Sequence, residues 1–300
     1  MKRKDFLTKA GIIGTGVLLL PHLLFGKESL TSQKINLINQ MKDYARGEMK
    51  LKLRKDFFSK WSKNEDSQYY LYVSESNRIA CPKDINQYVF FGADKENAES
   101  KQKEYIDNGF HTLLYKREGA HDFTITNSLL ENSNESLALV IFHEAAHQHL
   151  SKKAQLSLGL EEASCEVIGF HGARSFSQSF NELDHKKINK LIKRLENAYE
   201  LINRVSSSIS DDTVKNQKLY FELENNLFSG LEGNDFFMQQ RFIHPVNNAY
   251  LLKNQFFSKR YGLIRSVAKK DKTLNNFVCT LEKLPKNELK AVDKLIQKIS

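Results

Sequence analysis

Apolar side chains fall at steps of three and four from Thr31 to about Lys63, through Ile35, Ile38, Met41, Tyr44, Ala45, Leu51, Phe57, Phe58 and Trp61. That spacing predicts helix over the whole stretch. Between residues 69 and 125 the pattern changes to short aromatic and β-branched runs, Tyr69–Val73, Tyr88–Phe91 and His111–Tyr115, which read as strands of a small sheet. A charged helix from about Lys95 to Asn108, stopped near Gly109, separates the last two. From about Glu135 onward the period is helical throughout. It is clearest over Leu183–Val205, where Ile188, Leu191, Ile192, Leu195, Ala198, Leu201 and Ile202 form one stripe. No internal repeat or Pro- or Ser-rich linker divides residues 28–300, so the expected fold is one α+β domain, mainly α.

Composition sharpens this in two places. Only 4 prolines and 14 glycines in 300 residues favour long helices over a turn-rich β architecture. The net charge of +9 would suit an acidic partner, but the lysines are spread along helical stretches such as Lys186–Lys190. Solvated outer faces explain them, and no nucleic-acid partner is expected. The three cysteines, Cys81, Cys165 and Cys279, form no CxxC pair and allow one bridge at most. Residues 1–27 stand apart: Lys2, Arg3, Lys4 and Lys9 precede an apolar run from Ala10 to Phe25, closed by Lys27. This is the layout of an export signal or membrane anchor. Arg3–Lys9 resembles a twin-arginine signal with lysine in the second arginine's place. An exported protein, periplasmic or membrane-attached through residues 1–27, is expected.

Chemistry concentrates at Ala138–His147, which contains His143-Glu144-Ala145-Ala146-His147. Residues four apart share a helix face, so both imidazoles can reach one Zn²⁺. Glu144, beside the first histidine, is placed to take a proton from a zinc-bound water, whose pKa lies near 7. The water then attacks a peptide carbonyl, and Glu144 hands the proton to the leaving amine. A catalytic zinc takes three protein ligands. Leu150 and Lys153 rule out the extended three-histidine pattern, so the third must come from elsewhere. Leu160–Glu166, on a second helix folded back after residues 151–157, offers Glu161, Glu162 and Glu166. His171 and Cys165 compete for the role. Glu166, one turn beyond Glu162, is also a candidate to orient a histidine from behind. His244, Tyr250 and Tyr261 are candidates to stabilise the oxyanion. His149 points to a different helix face and reads as incidental, and His111 and His121 have no suggestive spacing.

The stretch Leu137–Gln148 resembles the signature of a bacterial family described as aminopeptidases, HExxH zinc proteins of gluzincin-like type with a glutamate ligand downstream. Ungapped, that ligand falls on Glu162 and a later family glycine on Gly172. Cys81-Pro82, before the strand ending at Gly92, and Asn247-Asn248-Ala249 are similar to two further family segments. Glu161, Ala163 and Ser164 depart from the usual asparagine, serine and phenylalanine, the second cysteine of the Cys-Pro segment is missing, and no lipobox cysteine follows the N-terminal run. The resemblance implies a zincin-like domain in which a small sheet precedes the HExxH helix and a helical C-terminal half. It implies one zinc on His143, His147 and Glu162, and hydrolysis of peptides or proteins, at finer grain by an aminopeptidase. The competing expectations are a non-catalytic, zinc-bearing binding or chaperone-like protein of the cell envelope, and a membrane-surface protein.

Overall fold

The computed structural model describes residues 22–62, 68–85, 87–117, 124–228 and 245–300, with side chains from Leu30 onward. Helix α1 (His22–Gly47) buries Leu37, Ile38, Met41 and Ala45 along one face. It crosses the expected boundary at residue 27, while residues 1–21 of the export segment lie outside the described residues. Among the described residues no helix is long and apolar enough to cross a membrane.

The helix expected to reach Lys63 stops at Gly47. The chain then turns irregularly, with Lys50 at φ 56° and Phe58 at φ 43°. Leu51, Phe57 and Phe58 are buried as expected, but from loop backbone. What holds this backbone is the HExxH helix: Lys52 N–H donates to His149 Nδ1 (2.9 Å) and Arg54 N–H to Gln148 Oε1 (2.7 Å). The Phe58 carbonyl accepts from the buried Lys42 ammonium at 3.0 Å. Amide donors that a helix would have satisfied internally are thereby paired. His149 is therefore no bystander; buried, with Nε2 3.1 Å from Glu282 Oε1, it ties the loop to the C-terminal helices.

A two-residue parallel pair joins β1 (Trp61–Ser62) to a later strand, and β2 (Gln68–Ser74) begins a separate sheet. β3 (Val89–Gly92), α2 (Lys95–Asp107) and β4 (His111–Arg117) follow, close to the runs expected, with Gly109 at φ 80° ending the helix turn. The sheet is antiparallel, order β3-β2-β4, with Phe90 opposite Tyr70 and Tyr70 opposite Tyr115. Alternation sends Leu71 and Val73 into a small cluster with Ile85, Tyr105 and Leu114, and Tyr72 and Leu113 into the main core.

After β5 (Ile125–Thr126), partner of β1, and α3 (Asn127–Glu131), the helices dominate: α4 (Asn134–Lys153), α5 (Leu158–Ser179), α6 (His185–Ser208), α7 (Thr213–Phe228), α8 (Asn248–Ser258), α9 (Tyr261–Asp271), α10 (Leu274–Glu282) and α11 (Glu288–Ile299). The protein is mainly helical with a small antiparallel sheet, as the periodicity implies. Caps set several starts: Ser133 accepts from Ser136 N–H, Asp184 from Lys186 and Lys187 N–H, and Asn247 from Tyr250 N–H. Asn248 fixes α8 to the sheet end, donating from Nδ2 to the Glu75 (3.0 Å) and Ser76 (3.1 Å) carbonyls while Tyr220 donates to its Oδ1. None of the three cysteines is paired with another.

α4 packs chiefly on α5, and two glycines set how closely. A Cβ at Gly169 would lie 3.1 Å from His143 N and 3.2 Å from its Cα, and one at Gly172 would lie 2.8 Å from Phe142 Cγ. At Gly169 the opposing atoms are helix backbone and cannot swing aside. Gly169→Ala should therefore lower stability by about 1–3 kcal/mol. Gly262→Ala, on α9 with nothing within 4 Å of its Cβ, should be neutral or gain up to about 1 kcal/mol. Urea unfolding of the two variants measures the contrast.

Candidate metal centre

α4 and α5 run antiparallel, joined by residues 154–157. Each turn back along α4 therefore meets a turn forward along α5, so His147 faces Glu161 and Glu162 while His143 faces Glu162 and Glu166. The Nε2 atoms of His143 and His147 are 3.0 Å apart, and Glu162 Oε2 lies 3.4 Å from the first and 3.3 Å from the second. Among the described residues this is the one group of three ligating side chains close enough to share an ion. A tetrahedral ion with bonds of about 2.0–2.1 Å holds its ligand atoms about 3.3–3.4 Å apart, so the donor triangle fits zinc by size as well as by donor type. The three side chains are 16%, 19% and 17% exposed, so solvent reaches part of the group.

Behind each imidazole stands a carboxylate. Glu161 Oε1 is 2.9 Å from His147 Nδ1, and buried Glu166 Oε1 is 3.6 Å from His143 Nδ1. A proton held on His147 Nδ1 by Glu161 turns that ring's Nε2 lone pair towards the triangle, while His143 Nδ1 is buried with the Glu166 carboxylate beyond hydrogen-bond distance. Glu166 thus sits where a histidine-orienting group was sought. Glu161, considered only as a ligand, takes the matching place behind His147. The signal for it was its neighbourhood: in Glu161-Glu162, consecutive positions splay by about a quarter-turn, so one can face the metal while the other stands behind it.

Charge in this cluster is strongly coupled. Burial opposes ionisation of Glu162, yet His147 and His143 hold its pKa well below the ordinary carboxylate range. Burial likewise opposes charge on His147, but the neighbouring carboxylates of Glu162 and Glu161 raise its pKa well above that of a free imidazole. The Cys165 thiol, wholly buried one turn beyond Glu161, is pushed up to about 12 by burial and stays protonated. Glu144 follows His143 and is half-buried on the same helix.

The other candidates are placed differently. The Tyr261 hydroxyl donates to buried Glu196 on α6 (2.8 Å), which also pairs with Arg265 at 3.2 Å. Burial, then Glu196, raises that phenol's pKa. Tyr250 is fully buried on α8. His171 is exposed on α5, outside the cluster, and His111 Nδ1 accepts from Asn248 N–H at 3.3 Å. His244 and His121 lie outside the described residues. Two neighbours escaped sequence reading altogether. Phe257 on α8 lies 6.5 Å ring to ring from His143, and Tyr72 on β2 has its pKa raised by burial, by Tyr115 and Tyr88, and by the charge of Glu162. Neither belongs to a motif; only the packing of α8 and the sheet brings them here.

Comparison with protein-family models, with curated proteins and with solved structures finds no match.

Two outcomes are expected for this centre. Glu162→Ala should lose most bound zinc, and Glu161→Gln and Glu166→Gln should each weaken zinc binding roughly 10- to 100-fold, read by chelator competition. Unchanged affinity in both glutamine variants would remove their orienting role. The second outcome concerns pH. Because the folded pKa of His147 is raised, its proton stabilises the metal-free protein fully below the ordinary imidazole value of 6.5, and that contribution disappears as pH rises through the raised value. Zinc needs the neutral ring, so its affinity should climb with pH until that value is passed and then level off.

Proposed function

We propose that the chain is a zinc-dependent peptide hydrolase, at finer grain an aminopeptidase with a zincin-like arrangement, in which His143, His147 and Glu162 hold the metal and Glu144 is the general base. One observation carries the reading: three donor side chains converge at ion-sharing distances, partly exposed, with a carboxylate on the Nδ1 side of each histidine. A zinc ion, when bound, supplies a Lewis acid for a peptide carbonyl and an acidified water. The protein's own residues do the rest. Glu161 orients the His147 ring, Glu166 lies on the Nδ1 side of His143, and Glu162 adds the negative charge that keeps a divalent ion in place. Glu144, next in sequence to His143, takes the water's proton and returns it to the departing amine. The resemblance of Leu137–Gln148 to bacterial aminopeptidases points the same way, and the basic, apolar start supports action outside the cytoplasm, on peptide or protein substrates.

Glu144→Gln keeps the shape of the side chain and removes its basicity. The variant should bind zinc as the wild type does and lose about 10²- to 10⁴-fold in peptide hydrolysis, measured by mass spectrometry on a mixed peptide pool. Retained turnover would overturn the assignment of the base. A wild type that holds zinc but cuts nothing in the pool would instead favour a zinc-bearing binding protein of the cell envelope.

A further inference from the structure

The sheet face turned towards α8 is aromatic across all three strands. Register puts Phe90, Tyr70 and Tyr115 in one row, and Tyr72, two residues along β2, on the same side. α8 covers only part of this face: Phe256 meets Tyr72 at 6.4 Å, and the Lys253 ammonium lies 3.8 Å over the Tyr115 ring. Towards the β3 edge the face stays open, with Phe90 52% and Tyr88 39% exposed. The rings form an unbroken series inward. Phe90 touches Tyr70 (5.0 Å), Tyr70 touches Tyr88 (5.2 Å), Tyr88 touches Tyr72 (5.6 Å), and Tyr72 touches Phe256. The next residue, Phe257, rests against His143. None of these rings carries charge at neutral pH, so the open end suits an apolar, uncharged group.

We infer that the open aromatic face of Tyr70, Tyr88 and Phe90, with Tyr72 at its inner end, is a specificity subsite that holds an aromatic or large aliphatic side chain of the peptide presented to the metal centre. The inference rests on the hydrolase reading for the direction in which the peptide runs. The rings lead from exposed Phe90 and Tyr88 through half-buried Tyr70 to buried Tyr72 and to Phe256, whose sequence neighbour Phe257 lies 6.5 Å from His143, so the open patch borders the candidate centre.

The test uses the full chain carrying Glu144→Gln, so that bound peptide is not cut. Fluorescent octapeptides of serine and glycine, each with one phenylalanine moved along the sequence, are titrated by anisotropy. A phenylalanine at one or two positions should tighten binding about tenfold or more over the all-serine peptide. The double substitution Tyr88→Ser and Phe90→Ser, both at exposed positions, should bring that ratio close to one with zinc content unchanged. No gain from phenylalanine at any position, or a gain that survives the double substitution, overturns the subsite. So does a stable dimer of the parent chain, seen in sedimentation, that the double substitution dissociates, because a second copy would then own the patch. The parent reading fails separately: tight binding of phenylalanine peptides with no cleavage by the zinc-loaded wild type removes the hydrolase and leaves the subsite standing.

Discussion

Two helix backbones in a packed core normally stand apart by the thickness of the side chains between them. At Gly169 that spacer is missing, and α5 comes so close to α4 that even a methyl group would press on the His143 backbone. The metal donors depend on this approach. Glu162, Glu166, Gly169 and Gly172 follow one another along α5 at steps of four and three, a single stripe facing α4. Carboxylates occupy the end of the stripe near the connecting loop and glycines the other end. The glycine end brings the helices together; the carboxylate end then meets His143 and His147 at 3.3–3.6 Å. Widening the helix pair by one methyl layer would separate all of these contacts at once.

Bringing three carboxylates and two imidazoles into a half-buried cleft has an electrostatic cost that must be met by counter-charge. Without an ion the His147 ring supplies part of it: it binds a proton more firmly than a free imidazole, and Glu162 remains ionised beside it. A divalent cation would offer two positive charges at the point where the ring nitrogens and Oε2 meet. Protons and metal therefore compete for one place, and the carboxylates behind the rings favour whichever cation occupies it. Such a cluster makes little sense as a stabilising device, since apolar packing would serve a helix pair better.

The sequence makes the local half of this site legible and leaves its long-range half open. His143 and His147 are visible because a four-residue interval on a helix defines a shared face without knowledge of anything else. The acidic group at 161–166 is visible as a source of a third ligand, but dividing its three glutamates into one ligand and two orienting groups depends on the phase of α5 against α4. Gly169 gives no warning at all: in a helical stretch a glycine reads as a weak point until its neighbour across the interface is known. Periodicity misleads between residues 48 and 61 for the opposite reason. Leu51, Phe57 and Phe58 keep apolar spacing because they are buried, yet Gln148 and His149 satisfy the amides there and remove the need for helix. The same tertiary contacts give His149 a purpose that its position in the motif does not suggest.

The division of labour between helices and sheet follows from where the donors arise. The three side chains close enough to share an ion, and the carboxylates on the far sides of the two rings, come from α4 and α5, within one antiparallel pair. The sheet contributes no ligand. Its α8-facing side carries rings instead, and α8 joins the two parts by placing Phe256 against Tyr72 and Phe257 against His143. Anchoring α8 is then more than a matter of stability. Asn248 binds it to the carbonyls of Glu75 and Ser76 just beyond β2, so the strand that bears Tyr70 and Tyr72 and the helix that bears both phenylalanines move as one body. A donor set made by a helix pair and an aromatic face made by a sheet can each change without disturbing the other, provided this one asparagine-centred joint is kept.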